Sequence, residues 1–227
     1  MSSERFLFIV TAVAVVFFIQ SIYSSSVENS LKILEKDSNY ADLSKTEGLK
    51  YDLRYASSNN FLNKNMYGNF NRPFLHKIAA EKLNKAVQLL KEKNHDLNLL
   101  IFDALRPRSV QRILWESVKG TSKQKYVANP DRGSIHNYGF AVDLTIVDKN
   151  GKELDMGTEF DDFTPLAQPR LEKKFLKEKK LTQKQIDNRM LLRNAMTQAG
   201  FIQLQIEWWH FDALPAKIVR SKYKIIE

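Results

Sequence analysis

The chain is 227 residues long, 43% hydrophobic and 11% aromatic, enough for one globular domain with its own core, which excludes a disordered or fibrous chain. It has no cysteine, so disulfides and thiolate ligands are excluded and any bound metal must be held by nitrogen and oxygen. The formal net charge of +9 admits an anionic partner, but no interleaving of aromatic and basic residues accompanies it, and no nucleic-acid partner is expected.

The chain opens with an apolar run, Phe6 to Ile19, broken only by Thr11, preceded by Arg5 and followed by the polar stretch Gln20 to Ser26. A bilayer span needs about 20 apolar residues, so this run better suits the hydrophobic stretch of a signal peptide. Residues 1–26 are therefore expected to be a signal peptide or an uncleaved membrane anchor. Either would place the rest of the chain in the periplasm or cell envelope, secreted or tethered to the membrane. Residues 27–44 read as a polar connecting segment, and residues 45–227 as the folded domain.

Within that domain, Lys50 to Ala56 alternates like a strand and runs into a turn-rich stretch, Ser57 to Asn71. From His76 to Lys93, Ile78, Leu83, Val87 and Leu90 recur at helical spacing. Leu97 to Phe102 reads as a buried strand ending at Asp103, and Pro107 suits the first turn of a helix to Val118. Gly139 to Ile146 is a strand by alternation and β-branching, closed into a hairpin through Asn150-Gly151. The excess charge collects between Arg170 and Lys184, where seven Lys and Arg residues meet only Glu172 and Glu178; this reads as a solvated helical insertion. Thr182 and Gln185 form a capping-box pattern for a helix to Ala199, which Gly200 ends, and Phe201 to Ile206 is a strand. Helices and strands do not strictly alternate, so the expected fold class is α+β: a single domain with a small, mainly antiparallel sheet and flanking helices.

Two short stretches carry the chemistry, Ser134-Ile-His-Asn-Tyr-Gly-Phe-Ala-Val-Asp143 and Glu207-Trp-Trp-His210, and they hold two of the four histidines. A catalytic zinc needs three protein ligands, commonly His with a carboxylate, and a base that is not a ligand. His136, Asp143 and His210 can supply the ligands, and Glu207 the base. Asp143 lies among apolar neighbours, where an unpaired carboxylate would cost several kcal/mol of desolvation, so it wants a cation. An ordinary ion pair with Lys or Arg satisfies that need too, and a tryptophan-rich core segment with an incidental His is the plainer reading of Glu207 to His210. The two motifs together favour a metal. On a regular strand Glu207 and His210 would point to opposite faces, so a bend between them is expected. Arg106, between a buried strand and a helix, can hold an oxyanion or make an ion pair with Asp103. His76 and His95 are assigned no role.

These residues resemble the zinc D-alanyl-D-alanine dipeptidases, the VanX-type family of the D-Ala-D-Ala metallopeptidase superfamily. The pattern SxHxxGxAxD is met by Ser134, His136, Gly139, Ala141 and Asp143, and the ExWH element by Glu207 to His210. Further matches are Asp52 to Ala56 with Asn60-Phe61, Arg106-Pro107, Met156 to Asp161, Asn188-Arg189 and Ala199 to Phe201, so the resemblance covers about residues 45 to 215. It implies one zinc ion per chain on His136, Asp143 and His210. It also implies Glu207 as general base and then acid, Arg106 stabilising the transition state, Asp161 pairing with the substrate amine, and Tyr55 and Ser134 lining the pocket. Ile135 departs from the second serine frequent in vancomycin-resistance members. The expected activity is hydrolysis of D-alanyl-D-alanine by a metal-activated water, in turnover of cell-wall dipeptide. The alternatives are a peptidoglycan stem-peptide carboxypeptidase or endopeptidase of the same superfamily, and a non-catalytic zinc-binding envelope domain. The sequence gives no oligomeric state.

Overall fold

The computed structural model describes Val27, Asn29, Ser30 and residues 32–227. The expected leader, residues 1–26, lies outside the described residues. Among those described, no helix is long and apolar enough to cross a membrane.

The backbone of the domain is a five-stranded sheet in the order β2-β4-β5-β7-β6. Its strands are β2 (Leu49–Tyr51), β4 (Asn98–Asp103), β5 (Ala141–Val147), β6 (Ile202–Gln203) and β7 (His210–Asp212). Only β2 and β4 pair in parallel; the other three pairings are antiparallel, as expected for this fold class. A separate antiparallel pair joins β1 (Tyr40–Asp42) to β3 (Phe74–His76). Every residue of β5 is buried, because the strand is central and both its faces are covered.

Helix α1 (Lys77–Lys93) buries Ala79, Leu83, Ala86, Val87 and Leu90, the apolar face its spacing predicts. Its N-cap is His76, whose Nδ1 accepts from the Ile78 N–H and whose ring stacks on Phe140 at 4.4 Å. This histidine, assigned no role from the sequence, has a structural one. Helix α2 (Arg108–Val118) follows Pro107. Helix α4 (Gln183–Gln198) begins with the expected capping box, Thr182 and Gln185 exchanging bonds of 2.8 and 3.2 Å, and Gly200 follows it at φ +94°. Helix α5 (Ala216–Lys222) precedes the C-terminus.

Four segments differ from the sequence expectation. Residues 27–44, read as a connector, carry β1 and bury Val27, Leu34 and Leu43 in the main core. The strand expected over Lys50 to Ala56 stops at Tyr51 and turns through a 3₁₀ segment, Arg54–Ala56, which buries Tyr55. The strand expected over Phe201 to Ile206 is shortened to β6, because Leu204 N–H already bonds the His210 carbonyl and the chain turns there. In the basic stretch, helix α3 (Glu172–Lys177) keeps its lysines in solvent, but Glu172 turns inward to Arg193 at 2.7 Å. Phe175, Leu181 and Ile186 form a second small core beneath it. The stretch is solvated on one face and packed on the other.

Candidate active site

Strand register brings the chemistry together. Asp103 on β4 lies opposite Asp143 on β5, and Asp143 lies opposite His210 on β7. A register shift between Ile101 and Asp103 sets the first of these pairs. His136 reaches the same place from a 3₁₀ turn, Ile135–Tyr138, that ends in Gly139 at φ +73°. A Cβ on Gly139 would lie 2.9 Å from the His76 backbone nitrogen, so both the turn and the close approach require glycine. The bend expected between Glu207 and His210 is present: residues 204–209 are irregular and β7 starts at His210.

Potential ligand atoms of His136, Asp143 and His210 all lie within 4.8 Å of one another. His136 Nε2 is 3.1 Å from His210 Nδ1 and 3.4 Å from Asp143 Oδ2, and His210 Nδ1 is 3.0 Å from Asp143 Oδ1. The outer nitrogens fix the ring states. His136 Nδ1 lies 2.7 Å from the Ala104 carbonyl oxygen, which only accepts, so Nδ1 carries the proton. His210 Nε2 donates in the same way to Asp212 Oδ1 at 2.9 Å. When both rings are neutral, two nitrogen lone pairs and a carboxylate converge on one point. That arrangement is repulsive without a cation and fits a metal ion, with Ala104 and Asp212 as the outer partners that aim the rings. In the metal-free protein the proton stands in for the metal. Burial opposes a charged His210, but Asp212 and Asp143 outweigh it and raise its pKa well above the ordinary value. Burial alone would raise the Asp143 carboxyl, yet the His136 and His210 imidazoles hold it far below the usual range.

Arg106 is buried, and the two readings open at the sequence level turn out to be compatible. Its Nε donates to Asp103 Oδ2 at 2.8 Å, Nη1 to Gln111 Oε1 at 2.8 Å, and Nη2 lies 2.6 Å from Asp103 and 3.5 Å from Asp143. Tyr67 donates its hydroxyl to the other oxygen of Asp103. Burial works against the guanidinium charge, and Asp103 more than offsets it, so Arg106 stays protonated. The guanidinium is thus held rigidly while it lines the cavity. The segments carrying Arg106 and His136 are also strapped to each other: Arg106 N–H donates to the His136 carbonyl at 3.1 Å, and Asn137 Nδ2 to the Arg106 carbonyl at 2.7 Å.

All eight site residues expected from the sequence line one cavity of about 260 Å³. Asp161 enters it from the loop after the Asn150-Gly151 turn, at φ +61°, a left-handed conformation that an Asp tolerates better than most residues. Tyr55 donates to Asp161 Oδ1 at 3.1 Å, while buried Oδ2 has no hydrogen-bond partner. Burial, and then Asp143, push the Asp161 carboxyl up to about 7. The neighbouring Asp162 instead accepts from the Thr164 N–H in a local turn. Burial pushes Glu207 up to about 8, against the favourable pull of His210. Trp208 and Trp209 are buried beside it, Trp208 donating to Thr158 at 2.8 Å and Trp209 packing on Phe160.

The match to known proteins spans the segments that carry these residues. The family model described as D-ala-D-ala dipeptidase, Peptidase M15, matches residues 38–226. The chain belongs to this family. It is similar to the D-alanyl-D-alanine dipeptidase of Escherichia coli K12, 34% identical over 171 residues that cover 72% of this chain and 78% of that protein. It is also similar to the D-alanyl-D-alanine dipeptidases of Enterococcus faecium, at 30% identity over 72% of this chain and 85% of the relative, and of Enterococcus faecalis, at 28% over 74% and 87%. M15 peptidases are metallopeptidases, so this chain is an enzyme, and His136, Asp143 and His210 form a group that could hold a metal ion.

Several residues around the candidate site escaped the sequence reading. Asp212 was recoverable, since it lies two positions after His210 and therefore on the same face of a strand. Gln111 and Tyr67 carry no local signal, because their work is to hold Arg106 and Asp103 across long sequence separations.

Proposed function

We propose that this chain is a zinc-dependent dipeptidase that hydrolyses D-alanyl-D-alanine. The observation that carries the reading is the unpartnered, buried Oδ2 of Asp161 in the same cavity as the metal-ligating group and Glu207. A buried carboxyl oxygen with no donor is costly, and a substrate ammonium supplies the missing donor. That pairing selects a peptide whose free amine lies one residue from the scissile bond and disfavours the longer stem peptides of a carboxypeptidase or endopeptidase. A two-histidine, one-carboxylate donor set without thiolate suits zinc. A metal held by His136, Asp143 and His210 would supply Lewis acidity there. Glu207, in its ionised form, takes the proton of the attacking water and returns it to the leaving amine. Arg106, fixed by Asp103 and Gln111, faces the carbonyl oxygen as it gains charge. Tyr55 keeps Asp161 in place, and Ser134 forms part of the wall.

The apolar run Phe6 to Ile19 supports export, with the enzyme acting in the periplasm or cell envelope on dipeptide from wall turnover. The test is D-alanine release from D-Ala-D-Ala by the purified protein, before and after chelation and on return of zinc. Zinc-restored hydrolysis is expected, together with loss of both bound zinc and activity in Asp143→Asn. A zinc-loaded protein that leaves the dipeptide intact would overturn the proposal.

A further inference from the structure

Two arginines line the cavity, Arg106 and Arg220, and they differ in what already holds them. The Arg106 guanidinium is engaged by Asp103 and Gln111. Arg220, half-buried on α5, has no carboxylate within ion-pair distance among the described residues. Its Nε and Nη2 donate to one neutral acceptor, the Gly133 carbonyl oxygen, at 3.3 and 3.0 Å. Gly133 immediately precedes Ser134, so this bond anchors the guanidinium against the cavity wall that leads to His136. Among the described residues, the cavity lining thus offers a buried carboxyl with one oxygen, Asp161 Oδ2, lacking a donor, and a guanidinium, Arg220, with no carboxylate in ion-pair distance. Those are the complements of the two charged ends of a zwitterionic dipeptide.

We propose that Arg220 receives the terminal carboxylate of the substrate and sets the requirement for a free C-terminus. The assignment rests on the dipeptidase reading and deepens it. A guanidinium keeps donors for a carboxylate after two of its N–H groups are used, and it need not abandon an existing ion pair to bind one. Its bonds to Gly133 hold it in place before substrate arrives, which lowers the ordering cost of binding.

The rival role for Arg220 is structural, as a clip on the turn before Ser134, and a paired-substrate experiment separates the two. Steady-state kinetics are measured for the parent, Arg220→Gln and Arg220→Lys on D-Ala-D-Ala and on D-Ala-D-alaninamide, which lacks the carboxylate. On D-Ala-D-Ala, Arg220→Gln should raise KM about 10- to 100-fold, with kcat changed less than about threefold and zinc content unchanged. On the amide, Arg220→Gln should behave like the parent, and Arg220→Lys should recover part of the loss on D-Ala-D-Ala. Equal losses on both substrates, or a fall in kcat, would assign Arg220 to the turn and overturn the proposal. So would an Arg220→Gln enzyme indistinguishable from an active parent. A parent inactive on D-Ala-D-Ala would instead strike the dipeptidase reading, and this assignment with it.

Discussion

The two halves of the site are held in different ways. The candidate metal-holding half is built on the sheet: Asp143 and His210 are register partners on β5 and β7, and His136 hangs from a turn whose backbone is strapped to β3 and to Arg106. The half proposed to bind the substrate amine is built on a loop. Asp161 lies between two points that α4 holds: Asn188 Nδ2 donates to the Asp155 carbonyl at 2.8 Å, and buried Arg189 donates to the Met156 carbonyl at 2.6 Å and the Leu166 carbonyl at 3.1 Å. Where a ladder does the positioning, a short motif is enough, because each strand hydrogen bond fixes its neighbour. Where a loop does it, the fixing side chains come from a distant helix. On the proposed function, chemistry that tolerates little displacement sits on the sheet, and recognition of the substrate end sits on the loop.

The sharpest way to break this division is at Glu207. Glu207→Gln should lower kcat about 10²- to 10⁴-fold while zinc content stays at that of the parent, since Glu207 is not among the ligand atoms. Loss of zinc in that variant would show that Glu207 belongs to the metal half. Asp161→Asn should act next most strongly and differently, raising KM for D-Ala-D-Ala about 10- to 100-fold with a smaller change in kcat. An unaltered KM would remove the loop from substrate recognition.

Arg189→Met addresses the loop clamp. It leaves the Met156 and Leu166 carbonyls without their donor and should cost about 2 kcal/mol or more of stability, read as a lowered thermal midpoint, with KM rising and metal content retained. An unchanged midpoint would mean the loop is held by other contacts.

The smallest effect is a pH slope in the metal-free protein. Glu207 and Asp161 keep protons in the folded state, at about 8 and about 7, that their unfolded counterparts have already released. Their contribution to stability is full below about pH 4 and is lost as pH rises through the folded values. The metal-free thermal midpoint should therefore fall between pH 5 and 8, and Glu207→Gln should flatten that fall. A midpoint that rises over this window would contradict the buried, proton-holding state of these carboxyls.

Much of this was legible beforehand because it is local. The α1 apolar face follows from the spacing of Leu83, Val87 and Leu90, the α4 start from Thr182 and Gln185, and the bend before His210 from the odd spacing of two groups that must share a pocket. The strand over Lys50 to Ala56 was overextended because alternation cannot show that Tyr55 must turn inward toward Asp161. Glu172 looked like one acid among lysines, because its buried partner Arg193 lies a helix away.

By itself, the sequence determined the inventory of the site: two imidazoles and a carboxylate for a metal, a separate carboxylate as base, and an arginine beside a buried strand. Their residue types and spacing limit the chemistry, and those are properties of the chain read linearly. Only the tertiary structure decided which atoms meet: that the β4–β5–β7 register sets Asp103, Asp143 and His210 in line, that Arg106 serves both Asp103 and the cavity, and that Arg220 has no counter-ion among the described residues. The physical reason is that ion pairing, burial and ligand geometry depend on separations of a few ångströms between residues tens to more than a hundred positions apart. No local propensity encodes such distances; the packed core imposes them.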